Sequence, residues 1–363
     1  MNGALRRFAA LVIVLGVVAL VAPAPWLGTD RDTYVAVGRQ HVIADCSELH
    51  CFRILVAWTL EALPGPSLVK WKTYAVLANA GAALAVGRLC GVLGLSTQAS
   101  IYATWLAALG FGSFYTLFDC YTSDPLMFLL GPLLTAELLR GHRGRATVAA
   151  AVGVLAKEFA AAPLWIHTLW AAMRRNWDAA LRSLLAASTA TMVWVALQLW
   201  LVVSQNYSYG GSASADLAAG GFLAHWYSMV GLRGALMAVF VEFGALYVLF
   251  PFGFLRASRE LRLLAIAAIP AALALAYVQQ PDRALWNFHF LVIPIAVLAI
   301  EKLPAWSVWL FIAIFALANL RVGAQLKFVP PALVPLAVST LFAAGAGALV
   351  IVKRQPALVT TVA

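Results

Sequence analysis

Long apolar runs separated by short polar stretches fill the chain from end to end. The runs are 8–25, 73–95, 99–117, 125–139, 183–203, 234–254, 263–279, 288–300, 304–320 and 332–352, with a further one at 146–173. A helix needs about 20 mostly apolar residues to cross a bilayer. The pattern therefore predicts an all-α polytopic membrane protein with about 10–12 transmembrane segments. Gly81, Gly87, Gly345 and Gly347 fall where small residues let helices approach closely. Pro132, Pro163, Pro270 and Pro294 lie inside apolar runs, where membrane helices tolerate them as kinks. The first run follows Arg6 and Arg7, and Ala22-Pro23-Ala24 makes a poor cleavage site, so an uncleaved anchor is expected.

Composition agrees with the pattern. Of 363 residues 63% are hydrophobic and 11% charged, against about a quarter charged in soluble domains. No polar stretch is long enough for a soluble domain, so residues 1–363 read as a single transmembrane domain. The formal charge of +10 does not point to nucleic acid. With the N-terminus inside, alternation of the spans gathers most Lys and Arg on the cytoplasmic side, as the positive-inside rule requires, and leaves both termini cytoplasmic. The Ala-rich composition and short loops suggest a bacterial inner membrane. Acidic residues run the other way: Asp30, Asp32, Asp45, Glu48, Glu61, Asp119 and Asp124 fall outside. The external face carries both acids and bases, and the chemistry is expected there. Segment 146–173 has arginines at both ends, which predicts a short helical hairpin turning near Pro163 or at Lys157-Glu158.

The long first external loop, 26–72, is the richest polar stretch. Asp30 and Asp32 sit close to the end of a span and could serve as a base or ligate a divalent cation; equally, they could cap a surface helix starting near Thr33, which local sequence alone favours. Cys46 and Cys51 read as a disulfide of an oxidising compartment, whose main effect is to fix the shape around Arg53, or as two unpaired thiols. His50 has no second ligand pair at zinc spacing. In the second external turn Ser123 or Asp124 caps the helix starting near Pro125. Lys157-Glu158 is an ionisable pair in an apolar run, by default a functional mark; its bland reading is a self-neutralising pair at a hairpin tip. Glu242 is a lone buried acid. There is no Walker loop, dinucleotide fingerprint or HExxH.

Taken in order, these motifs resemble those of the GT-C superfamily of membrane glycosyltransferases, which includes the protein O-mannosyltransferases and the aminoarabinose transferases. Asp30-x-x-x-Tyr34 lies just after the first span, Phe52-Arg53-Ile54-Leu55 ahead of a juxtamembrane helix, and Ser123-Asp124-Pro125 in the second acidic turn, followed by Arg140-Gly141. Gly153-Val-Leu-Ala-Lys157-Glu158 matches a Gly-x-x-x-x-Lys stretch, and Asp282-Arg283 before Pro294 matches a late Arg-Tyr pattern whose Tyr is missing here, with Trp286 the nearest aromatic. The resemblance implies a GT-C-like bundle and a hexosyltransferase drawing on a polyprenyl-phosphate-sugar lipid in the cell envelope. Asp30, with Asp32 as its rival, would be the base. Asp124 would position the glycan, lipid or protein acceptor, or a Mg or Mn ion shared with Asp30. Arg53, Lys157 and Arg283 would hold the donor phosphate, with Tyr34 and Glu158 in support. The alternative is a transporter or flippase of envelope lipids or glycans, in which Lys157, Glu158 and Glu242 line a substrate or proton path.

Overall fold

The computed structural model describes residues 3–22, 29–43, 45–208, 220–279, 284–322 and 333–352. Among them every regular element is helical. The first half holds α1 (Gly3–Val21), α2 (Thr29–Gln40), α3 (Ile54–Glu61), α4 (Ser67–Val92), α5 (Thr97–Ala108), α6 (Phe111–Phe118), α7 (Asp124–Leu139), α8 (Arg143–Gly153), α9 (Ala162–Met173) and α10 (Trp177–Gln205). The second half holds α11 (Gly221–Phe243), α12 (Ala245–Arg256), α13 (Arg259–Ala267), α14 (Ile269–Val278), α15 (His289–Ile300), α16 (Ala305–Val322) and α17 (Leu333–Val352).

Among the described residues six helices are long and apolar enough to cross a membrane, at 3–21, 67–92, 97–118, 177–205, 259–278 and 334–352, or up to seven if the pair bent by 86° at Gly244 counts as one span. Shorter apolar helices cover Leu285–Ile300 and Ala305–Leu320. The protein is an all-α polytopic membrane protein. Its exterior explains why it needs a bilayer: Ile13, Leu20, Met192, Val203 and Leu341 are 62–85% exposed, an apolar surface that water would not tolerate. On α1 the inward face is Leu11, Leu15 and Ala19, spaced four apart as one helical face requires.

Breaks within runs trace to particular residues. Run 99–117 divides into α5 and α6 around Gly110, where Gly110 and Gly112 lie against the Trp286 indole so closely that a side chain at either would collide with it. Pro132 and Pro294 lie inside α7 and α15, whereas Pro163 and Pro270 occupy first turns, where proline costs no helical hydrogen bond. The chain of 143–173 is broken at 154–161, and α8 and α9 both pack on α10.

Helices α4 and α7 run side by side in the same direction. Tyr74 on α4 meets the start of α7, its hydroxyl accepting the Leu126 N–H at 3.1 Å, and Arg88 near the other end of α4 pairs with Glu137. The two ends of the bundle are thus distinct in chemistry. One gathers Arg88, Glu137 and His142, the last two 2.8 Å apart; the other gathers Asp30 in the first turn of α2, Asp124 at the start of α7 and the break after α8.

Candidate active site

Asp124 opens α7. The Thr122 hydroxyl accepts its N–H at 3.2 Å, and the Tyr74 hydroxyl donates to the Ser123 carbonyl at 3.3 Å. Of the two residues expected to cap, Ser123 or Asp124, Ser123 holds the N-cap position but its side chain makes no capping hydrogen bond. Its fully buried hydroxyl lies 3.5 Å from that of Tyr34. The Asp124 carboxylate is bound by the Lys157 ammonium.

Lys157 comes from the break after α8. Gly153, at the end of α8, lies so close to Leu130 of α7 and to Ala160 that a methyl there would clash with both. The chain then turns, with the Lys157 N–H on the Gly153 carbonyl at 3.1 Å, and the ammonium is carried across to α7. Glu158 points elsewhere. It takes a two-pronged contact from Arg53, Nη2 to Oε1 at 2.8 Å and Nε to Oε2 at 3.4 Å, and a third hydrogen bond from Gln279 Nε2 at 2.9 Å. Arg53 follows a 3-10 turn at 49–52, and the Leu55 N–H on the Leu155 carbonyl, 3.1 Å, splices the start of α3 to the break.

Lys157 and Glu158 therefore do not neutralise each other. Each reaches a different part of the fold, and the result is a cluster of two cations and two anions in which Arg53 also feels Asp124 and Lys157 feels Glu158. Lys157 is 4% and Arg53 7% exposed. A buried charge without a partner costs several kcal/mol, so the alternation is what allows these groups to stay ionised. Burial pushes the Tyr34 phenol above its ordinary value, against the opposing pull of Arg53, so it stands beside the cluster as a neutral hydrogen-bonding group.

Helix α2 begins at Thr29, not near Thr33. Asp30 lies in its first turn with its carboxylate 3.5 Å from His50 Nε2. The His50 ring in turn meets the edge of Tyr34, centroids 5.2 Å apart. Asp30 is thus linked to the ion cluster through His50 and Tyr34. Asp32 is exposed on the same turn, and Arg31 lies over the Tyr121 ring at 5.6 Å. Asp282 and Arg283 lie outside the described residues. Glu242, fully buried, accepts the Trp286 N–H. Gln279 escaped the sequence reading; its only signal is an amide closing the apolar run 263–279.

An apolar groove of about 370 Å³ leads away from Glu158, lined by Trp165, Leu169, Trp194, Pro270 and Ala274 of α9, α10 and α14. For a divalent cation the fit is poor. No group of three or more His, Cys, Asp or Glu converges among the described residues. Asp124 is taken by Lys157 and Asp30 faces His50.

The chain matches no protein-family model and no curated protein. Its fold does have solved counterparts. It is similar to the Archaeoglobus fulgidus oligosaccharyltransferase tethered to an acceptor peptide containing the NVT sequon (TM-score 0.52, 14% identity, 94% of this chain and 54% of that one). The apo form of the same protein gives TM-score 0.52 and 12% identity over 92% and 56% of the two chains. Its complex with Zn and sulfate gives TM-score 0.51 and 14% identity over 91% and 53%. The chain thus spans little more than half the length of these structures, and at such identities what is shared is the fold alone.

Proposed function

We propose that this protein is a membrane glycosyltransferase of the GT-C type that moves a sugar from a polyprenyl-phosphate-linked donor to an acceptor at the external face of a bacterial inner membrane. The carrying observation is the buried Asp124–Lys157 and Arg53–Glu158 cluster, built from three segments distant in sequence at the same end of the bundle as the acidic turn of α2. The fold likeness to an oligosaccharyltransferase supports the same reading. The apolar groove ending at Glu158 suits a donor whose leaving group carries a long hydrocarbon chain.

In this reading the Asp30 carboxylate takes the proton of the acceptor hydroxyl, as a positioned general base. The acceptor oxygen bonds to the anomeric carbon, the bond from that carbon to the phosphate oxygen breaks, and inversion results. The departing phosphate gains a negative charge, which Arg53 and Lys157, with Arg283, stabilise. At rest the cluster is neutral overall, so both cations are engaged by carboxylates. Donor binding requires the phosphate to displace Glu158 from Arg53 or Asp124 from Lys157. Asp32 is the rival base. A divalent cation at Asp30 and Asp124 would need Lys157 to swing away.

The test is release of polyprenyl phosphate from radiolabelled mannosyl, glucosyl and aminoarabinosyl donors in membranes carrying the protein, against membranes without it. Release supports the proposal. Label that instead crosses sealed proteoliposomes unconsumed supports the flippase alternative and sinks this one.

A further inference from the structure

Arg53 is delivered to the cluster by a turn that is tied down unusually well for an external loop. Cys46 and Cys51 form a disulfide across it. Inside the turn the Cys51 N–H donates to the Glu48 carbonyl at 3.1 Å, and the Arg53 N–H to the His50 carbonyl at 3.2 Å. The same turn is sewn to the end of α10. The Asp45 N–H meets the Gln205 carbonyl at 3.2 Å, and the Ser208 N–H meets the Cys46 carbonyl at 3.1 Å. Asn206 Nδ2 donates to Asp45 Oδ1 at 2.6 Å, and the Tyr207 hydroxyl accepts the Ile43 N–H at 3.1 Å. The Tyr207 ring meets Phe52 edge-on at 5.2 Å, and both are nearly fully buried. Asp45 and Asn206 both hold left-handed backbone, φ 57° and 55°, a conformation that costs a non-glycine residue, and the hydrogen bond between their side chains ties the two together.

A disulfide closing so short a loop adds little to global stability. Its effect is local: it narrows the positions open to residues 51–53. We propose that the Cys46–Cys51 disulfide and the Gln205–Ser208 end of α10 form a clamp that positions Arg53, so that the redox state of the pair sets how tightly the donor phosphate is held. This rests on the transferase reading above. The two cysteines and Tyr207 are positioning residues; they act through Arg53. The external side of a membrane is where such a bond persists, and the other two cysteines, Cys90 and Cys120, are buried free thiols, so the pair is the one disulfide for a reductant to open among the described residues.

The experiment uses the full-length purified protein with and without dithiothreitol, which opens the bond to two thiols and is itself oxidised to its cyclic disulfide. Amide exchange and donor titration are read on both. Reduction is expected to speed exchange at the Cys51, Arg53 and Leu55 amides and to leave α4 and α7 unchanged. The donor KM should rise about tenfold and kcat should fall as well, because Arg53 holds the phosphate in the ground state and also meets the charge that develops on it. Cys46→Ser/Cys51→Ser should behave as the reduced protein and ignore the reductant. Tyr207→Phe, which keeps the ring on Phe52 but loses the Ile43 bond, should raise KM less and guards against a double variant that fails to fold. Unchanged exchange at residues 51–55 on reduction, or an unchanged donor KM, overturns the clamp. A wild type that consumes no donor overturns the transferase reading, while the exchange experiment still judges the clamp.

Discussion

Replacing Lys157 by methionine removes one cation from the buried cluster and keeps the volume. The Asp124 side chain, 17% exposed, then faces the interior without its ammonium, while Arg53 remains committed to Glu158. Breaking a buried pair by deleting one partner costs about 3–5 kcal/mol. At this chain length each kcal/mol shifts the melting temperature by roughly 2 °C, so Lys157→Met should melt about 6–10 °C below the wild type. Adding Asp124→Asn removes the stranded charge and should recover at least half of the loss, because the remaining amide costs only its unmade hydrogen bonds. The exposed Asp178–Arg182 pair, 69% and 62% exposed, is the control: Arg182→Met should shift the melt by no more than about 1 °C, as surface pairs do. Tryptophan fluorescence of detergent-purified protein at one fixed heating rate gives the numbers, since irreversible unfolding makes the midpoint rate-dependent. Lys157→Met melting with the control, or a double variant no better than the single, would refute the coupled-cluster argument.

Four other outcomes follow from the same geometry. Glu61 is buried, which works against its charge, but the Ser67 hydroxyl, the Lys70 ammonium and the Trp71 indole outweigh this and hold its carboxyl below the usual range; the resulting stability is full above the ordinary carboxylate value and fades as pH falls through the lower folded value, so melts from pH 7 to pH 3 should lose part of their slope in Glu61→Gln. Gly253→Ala sets a methyl against the Ile295 backbone carbonyl of α15, which cannot give way, and should abolish folded yield in gel filtration, whereas Gly91→Ala, with open space around it, should melt at or slightly above the wild type. Asp124→Asn should lower donor turnover at least about tenfold through lost positioning, measured at saturating donor. EDTA should leave donor consumption within about twofold, because the site's carboxylates are held by Lys157 and His50; a large loss restored by Mg or Mn would mean that a cation takes the place of Lys157.

Much of the fold was legible because a bilayer imposes a length: runs 73–95, 183–203 and 332–352 appear as α4, α10 and α17. The bends were less so. Run 99–117 breaks where Gly110 and Gly112 meet Trp286, a contact between residues far apart in sequence that no local pattern records. For the site, Lys157 and Glu158 stood out as an ionisable pair too costly to be idle in an apolar run, whereas Arg53 and Asp124 were named only by the resemblance to GT-C motifs. The chain could not give their pairing. Adjacency suggested Lys157 with Glu158, but after the extended backbone of Lys157 (φ −166°, ψ 135°) successive side chains diverge, and each finds its counter-charge on another segment. Thr122 and Tyr74 similarly take over the capping for which Ser123 was one of two candidates, because the fold brings a phenol from α4 to the start of α7.

The most direct test of the central claim is transfer of radiolabelled sugar from polyprenyl-phosphate donors in membranes carrying wild type, Asp30→Asn or Asp32→Asn at matched expression. The account predicts consumption by the wild type and by Asp32→Asn, and a loss of about 100-fold or more in Asp30→Asn, the scale of a missing general base. Undiminished consumption by Asp30→Asn would contradict it.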